Sequence, residues 1–501
     1  MLKNVGSNWI VSLVTALATC LLTPFVLHSI GVEAYGTWVL ITSVTGYLGL
    51  LALGVPMASV RYLAEHVAAD DREGTNRAIG SCLGLYLLLG SAGLVVGAGL
   101  YVFFTFTYTV PPAILVDARI AFAIAVIYVS LWFAALLPEG IFAAHNDFVV
   151  RNVVRIAGVL LRVVLTVGLL TLDATLVVIA IVQFACIAFD FFVCWLVIRG
   201  RYPGTRLKLA DFDRGMVRRI FSFSLFVLLL QAGMRLSFET DSLVIGAFKD
   251  VGSIPHFTVG NSLIVYLMEF ILAIAAVVMP AATRCKAQGR MAELRETFLK
   301  WSKIALTLTL MFGMFLIVLG PRFIAWWIDP SFERPAGQVL QILMTSYLAF
   351  LPIRGVALPI LMGLGKPRLP AFGFLAAGVL NLGLSVWLVG PLGLAGVALG
   401  TAIPNVLFAA LVLVQACREL EISVGAFLRY VVPRALLGAL PAFALLLWFK
   451  LGMEVRGFGE LAIAGTAMTA LFALTCVLFV YRNDPYIDLR RFALSRVWGR
   501  T

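Results

Sequence analysis

The sequence predicts an all-α polytopic membrane protein of about fourteen transmembrane helices. Three observations predict it. The 501 residues are 61% hydrophobic and only 13% charged, whereas a soluble domain is about 45–50% apolar and about 25% charged. Apolar runs of about 20 residues, the length a helix needs to cross the hydrocarbon core, recur along the whole chain. The alternation over about ten residues that marks a membrane β-barrel is missing.

The first run, 5–28, follows Lys3 and has no small-residue cleavage site after it, so it is read as a retained first helix rather than a removed leader. Further spans are expected near 34–59, 79–107, 118–144, 152–172 and 174–198. After a break come 220–247, 254–282, 300–320, 338–364, 369–389 and 393–416, then 431–450 and 460–481. The break is the hydrophilic run RGRYPGTRLKLADFDRGMVRR at 199–219. The expected organisation is a first lobe of helices 1–6 over 1–199, a cytoplasmic linker over 200–219 and a second lobe of helices 7–12 over 220–417. Residues 418–501 supply helices 13 and 14 and a basic tail.

The net charge is +12, but its distribution argues against a nucleic-acid partner. Roughly 29 Lys and Arg lie on the side of both termini and roughly six on the other, the excess that marks cytoplasmic loops. This places both termini in the cytoplasm. Three more, Arg162, Arg235 and Arg354, fall within spans. No loop is long enough for a further domain of about 50 residues, so chemistry would fall to residues in or beside the spans. The seven cysteines lie mostly within spans without metal-ligand spacing and read as buried apolar thiols. No metal and no bound cofactor is expected.

The chain repeats itself at an offset of about six spans. GVPMASVRYLAEHVAADDRE after span two corresponds to VVMPAATRCKAQGRMAELRE after span eight, pairing Pro56 with Pro280 and Arg61 with Arg284. Each is followed by a polar stretch with the makings of a short surface helix. LLPEGIFAAHNDF and ALPILMGLGKPRL pair Pro138 with Pro359 and His145 with Lys366. Six is even, so the two lobes share orientation, as in parallel-repeat transporters.

With the repeat in view, the segment LTPFVLHSIGVEAYGTWVLITSVTGYLGLLALGVPMASVRYLAE resembles the start of the polysaccharide-export flippases. These are the Wzx-like, O-antigen-transporter branch of the multidrug/oligosaccharidyl-lipid/polysaccharide (MOP) superfamily. The matching residues are Pro24, Leu27, Gly31, Tyr35, Gly36, Trp38, the Gly-Tyr-Leu of 46–48, Gly54, Arg61 and Tyr62. The layout of six, six and two spans agrees over nearly the whole length. One departure is Ala52, where such proteins often carry an Asp. The resemblance implies two six-helix lobes around a cavity in a bacterial inner membrane. It implies transport of a polyprenyl-pyrophosphate-linked saccharide from inner to outer leaflet, with polysaccharide polymerase or assembly proteins as further partners.

Charge inside a span is costly and usually has a use. Arginine stays protonated and presents a fork of donors that matches phosphate. Arg162, Arg235 and Arg354 are therefore the candidate cations for a pyrophosphate. Gln231, Arg235 and Glu239 follow one another at four-residue intervals and share a helix face, read here as facing the cavity. Arg61 and Arg284, at the inner interface, serve either substrate entry or lipid headgroups. Glu239, Asp241, Glu269 and Asp190 are candidates for balancing charge or for exchanging H⁺ or Na⁺. Asn8, Trp9, Gln183, Asn261 and Tyr266 are candidate sugar contacts. Two intramembrane pairings, Arg235 with Glu239 and Arg354 with Glu269, are the purely structural alternative.

Two other classes compete. A cation-coupled drug exporter of the same superfamily commonly depends on an acid in the first lobe, often in span one, and span one here has none. A membrane polymerase, ligase or glycosyltransferase would place catalytic residues on a large loop, and no Walker, nucleophile-elbow or HExxH signature appears.

Overall fold

The computed structural model describes residues 2–52, 54–217, 225–453, 455 and 457–487. The start of the seventh expected span, Arg456 and the basic tail beyond Ile487 lie outside the described residues. The described elements are helical throughout. The chain divides into two compact units, Met1–Pro255 and His256–Thr501.

The first unit is built from α1 (Leu2–Ile30), α2 (Val32–Gly46), α3 (Val55–Ala68), α4 (Arg72–Thr107), α5 (Leu115–Ala144), α6 (Phe148–Leu170) and α7 (Leu176–Arg201). After the linker come α8 (Leu225–Phe238) and α9 (Thr240–Phe248). Helix α5 is the centre of the unit, packing against α4, α7, α3 and α2. Small residues let α4 approach it: a Cβ on Gly97 would lie 2.3 Å from Val126 Cγ1, and one on Gly90 would lie 2.8 Å from the Ser130 carbonyl oxygen. Lipid gives helices no hydrophobic reason to associate, so such close backbone contact is what holds them. Helices α1 and α6 form a second pair, and α6 also packs on α7.

The second unit holds α10 (Ile254–Ala287), which starts at the unit boundary, α11 (Met291–Val318), α12 (Gly320–Trp327), α13 (Glu333–Pro352), α14 (Leu358–Gly363), α15 (Arg368–Glu419), α16 (Val424–Gly452) and α17 (Phe458–Thr475). Helix α13 packs between α11 and α15, and α16 between α11 and α17. Pro352 ends the regular part of α13, and a π-helical turn, Ile353–Ala357, carries the chain to α14.

Twelve stretches among the described residues are long and apolar enough to cross a membrane. One of them, α15, has 52 residues. At 1.5 Å per residue that is about 78 Å, more than twice a hydrocarbon core of about 30 Å. It is two helices joined at Gly393, whose φ of 58° lies in the left-handed region that glycine adopts without a Cβ clash. Helices α8 and α9, interrupted at Glu239, form another apolar stretch, each part too short to count alone. Together these account for about fourteen crossings.

The repeat is not exact. Span two ends at Gly54 (φ 75°), and Pro56 opens the separate helix α3. Among the described residues the second unit has no such surface helix at this place: α10 continues unbroken through Pro280 to Ala287. The residue matching Gly54 is Val278, buried within that helix. A β-branched residue resists the left-handed turn that glycine allows.

Candidate functional site

Within the first unit, a cavity of about 660 Å³ lies between α1, the 3₁₀ turn Tyr47–Ala52, α3, α5, α6 and α8. Its walls are Val11, Leu50, Val60, Trp132, Leu136 and Phe148, with Glu139, Asn152 and Gln231 as polar points. Arg151, Arg155 and Arg235 also line it. The cavity borders Pro56 and Val60 of α3, Gly140 and Ala143 of α5 and the first turns of α6. It therefore lies toward the Lys- and Arg-rich loops at 60–78 and 145–155.

Two of the three arginines have a carboxylate partner. Arg151 makes a two-pronged contact with Asp190 of α7, Nη1 to Oδ1 at 2.8 Å and Nη2 to Oδ2 at 3.2 Å. Arg235 pairs with Glu239 one turn along. Its guanidinium rests against Gly46 and Gly49: a Cβ on Gly46 would lie 3.1 Å from Nη1, and one on Gly49 would lie 3.2 Å from Nη2. Tyr47 Oη and Thr240 Oγ1, 2.8 Å apart, join the same two segments. Arg155 and Glu139 line the cavity without an ion pair among the described residues. A guanidinium has five N–H donors, so one carboxylate leaves several free for a ligand.

The start of α6 is fixed from outside the span. Asp147, immediately before it, accepts from Arg201 Nε at 2.7 Å and Nη2 at 3.1 Å at the end of α7, and from Tyr202 Oη. The Arg201 guanidinium holds the Asp147 carboxyl below the usual carboxylate range, with Tyr202 adding to it. His145 stacks on Tyr202 with ring centroids 3.9 Å apart. This clamp sets where Arg151 and Arg155 enter the cavity.

Arg162 lies elsewhere. It lines a smaller cavity of about 190 Å³ with Thr19, Thr23, Tyr35, Trp38, Thr166 and Gln183. Its Nη2 donates to Thr19 Oγ1 at 3.2 Å, and its Nε is buried with no hydrogen-bond partner among the described residues. From Arg155 to Arg162 is seven residues, about 10 Å along α6. Of the expected stripe, Gln231 and Arg235 line the larger cavity, with Glu239 behind Arg235. Asp190 serves as the partner of Arg151, and Asp241 is buried in α9.

In the second unit, Arg354 sits in the π-helical turn, 6% exposed, 5.6 Å from the ring centroids of both Phe350 and Phe374. Glu269 is exposed on α10. Arg61 is exposed in the middle of α3 and Arg284 in the last turn of α10. Gln183 lines the Arg162 cavity, Asn261 and Tyr266 are half-buried in α10, and the side chains of Asn8 and Trp9 lie outside the described residues.

Arg151 and Arg155 were missed as site residues because they count as loop charges in the sidedness argument. Their spacing was the available signal. Positions 151, 155 and 162 differ by four and seven, which at 100° per residue keeps all three within about 40° on one helix face.

The chain resembles several known proteins. Residues 1–286 match the family described as polysaccharide biosynthesis protein. The uncharacterized membrane protein EpsK of Bacillus subtilis (strain 168) is 22% identical, covering 98% of each chain. Among solved structures, the lipid II flippase MurJ in an inward closed conformation superposes with a TM-score of 0.70 at 13% identity, covering 96% of this chain and 99% of that one. An inward-facing multidrug resistance MATE family transporter of the MOP superfamily gives 0.66 at 19% identity, covering 82% and 98%. With a family match over more than half its length, this multi-pass membrane chain belongs to the polysaccharide biosynthesis protein family and shares the fold of these MurJ and MATE structures.

Proposed function

We propose that this protein moves a polyprenyl-pyrophosphate-linked saccharide from the inner to the outer leaflet of a bacterial inner membrane by alternating access. The observation that carries the reading is the clustering of Arg151, Arg155 and Arg235 in one cavity toward the basic loops. Three guanidinium groups, two braced by carboxylates, suit a pyrophosphate better than a cation or a neutral solute. Trp132, Gln231 and Asn152 offer a ring face and amides to the sugar. The excess of Lys and Arg on one side supports cytoplasmic termini and loading from the cytoplasm. Arg61 and Arg284 are proposed to receive the headgroup at the membrane interface, and Arg354 is proposed as a phosphate-binding cation within the second unit.

The energetics suit an anionic cargo. An inside-negative potential favours outward movement of an anion by about 2.3 kcal/mol per charge per 100 mV, so a doubly charged headgroup gains roughly 4–5 kcal/mol. Exchange of H⁺ or Na⁺ would then serve the return of the empty carrier, with Asp190 and Glu239, the partners of Arg151 and Arg235, and Glu139 on the cavity wall as the candidate acids. The prenyl chain stays in the bilayer, since wetting it costs about 0.8 kcal/mol per CH₂. The residues do transport work rather than bond chemistry on this reading, with polymerase or assembly proteins receiving the product.

A drug-exporter reading draws on the MATE likeness. The arginine lining opposes it, because it repels the cations such exporters carry. The test is a strain lacking the gene, with its prenyl-linked lipids quantified. Accumulation of a complete pyrophosphate-linked saccharide, relieved by the wild-type gene but not by Arg155→Ala, supports the flippase. Normal lipids with lost resistance to cationic compounds overturn it.

A further inference from the structure

We infer that the Arg162 cavity is a separate binding site for one monovalent inorganic anion, such as chloride. The inference does not depend on what the larger cavity carries. Arginine keeps its charge in any protein setting, and a charge within a span needs a counter-charge. Arg151 has Asp190 and Arg235 has Glu239. Around Arg162 the cavity walls contain no Asp or Glu, and no ion pair among the described residues includes it. Among the described residues its buried Nε–H has no acceptor, and a buried unmet donor is costly.

The groups around the cavity beside Arg162 are suited to donating. Thr19 Oγ1 accepts from Arg162, which leaves its own proton available. Thr166 and the Gln183 amide face the same cavity. The Thr23 hydroxyl is already used, donating to the Thr19 carbonyl at 2.8 Å. Charge and size select the ligand. One guanidinium balances one negative charge, whereas a pyrophosphate diester carries two. The cavity of about 190 Å³ is less than a third of the one lined by three arginines. A small anion with a single charge fits both limits and supplies the missing counter-charge.

The test uses the purified full-length protein exchanged into gluconate at fixed pH and ionic strength, with its thermal midpoint followed as chloride replaces gluconate. Saturable stabilisation is expected, since a ligand that binds only the folded state raises the midpoint. Arg162→Gln is expected to raise the half-saturating chloride concentration at least about tenfold, the weight of one charge-assisted contact. Arg155→Gln is expected to leave it unchanged. Thr166→Val, which keeps the cation and the shape, is expected to weaken chloride severalfold, and it serves if Arg162→Gln does not fold. Bromide-soaked wild-type crystals should show an anomalous peak beside the Arg162 guanidinium. Absence of a saturable response in the wild type, an equal response in Arg162→Gln, loss of the response in Arg155→Gln, or no bromide at Arg162 overturns the inference.

Discussion

Helix α6 carries two kinds of arginine on one face. Near its start, Arg151 is held by Asp190 of α7, so its direction is set by two hydrogen bonds of 2.8 and 3.2 Å. About 16 Å deeper, Arg162 has only the Thr19 hydroxyl among the described residues, and a donor left over. The first arrangement aims a cation at a cavity large enough for a headgroup. The second leaves a cation facing a cavity less than a third as large. The difference shows that the residue type alone does not define the site. What stands behind the guanidinium decides whether it is a positioned ligand or an unfilled charge.

Removing a carboxylate from behind a cation tests this directly. The largest effect is expected in the second unit, where Lys303 and Asp484 form an ion pair with side chains 1% and 0% exposed. Asp484 also accepts from Tyr430 Oη at 2.7 Å and from the Tyr486 and Ile487 amides. Asp484→Ala should destabilise by about 3–5 kcal/mol, the cost of stranding a buried charge, and Lys303→Met in the same chain should restore much of it. Thermal unfolding of the two variants measures both. That pair calibrates what an uncompensated lysine costs against the arginine at 162.

A smaller loss is expected for Asp190→Asn, about 1–2 kcal/mol, because the Arg151 and Asp190 side chains are 15% and 24% exposed and water screens them in part. Transport should fall with it, because Arg151 loses its bearing. Arg155→Ala should leave stability within about 0.5 kcal/mol, since the side chain is exposed and makes no ion pair among the described residues. Its effect belongs to transport, expected to fall at least about tenfold for the loss of one charge-assisted contact. If Arg155→Ala destabilised more than Asp190→Asn, the distinction between braced and unbraced arginines would fail.

The smallest effect is one of pH. Arg201 holds the Asp147 carboxyl below its ordinary value, so the folded state binds its proton less readily than the unfolded state does. The stability this contributes is fully present above the ordinary Asp pKa of about 3.9 and is lost as pH falls through the lower folded value. Asp147→Asn should flatten this acid limb of the stability curve and change little at neutral pH. Unfolding midpoints between about pH 3 and 6 read it out.

Much of this was legible in the sequence because it is local. Span positions follow from apolar runs of fixed length, and the Gln231, Arg235 and Glu239 stripe follows from spacing along one helix. The Arg235–Glu239 pair formed as i, i+4 geometry allows. Contacts made across the chain were not legible. Asp190 lies 39 residues from Arg151, Phe374 lies 20 from Arg354, and Asp484 lies 181 from Lys303. Arg151 and Arg155 were hidden for a different reason. Positive charge at a span end satisfies the topology rule whether or not it also faces a cavity, so sidedness absorbed both. The break at Gly54 and the continuity through Val278 show the same limit: the repeat aligns the prolines, but the neighbouring residue decides whether the helix stops.

The most direct test of the central claim is transport in proteoliposomes loaded with a fluorescent polyprenyl-pyrophosphate saccharide, its exposure on the far leaflet read with a membrane-impermeant quencher. The account predicts that wild-type protein moves the lipid, that inside-negative potential in the loading compartment speeds it, and that Arg155→Ala and Arg235→Ala slow it at least about tenfold while remaining folded. Movement at the wild-type rate in both variants, or no movement of the lipid beside proton-driven movement of a cationic dye, would contradict it.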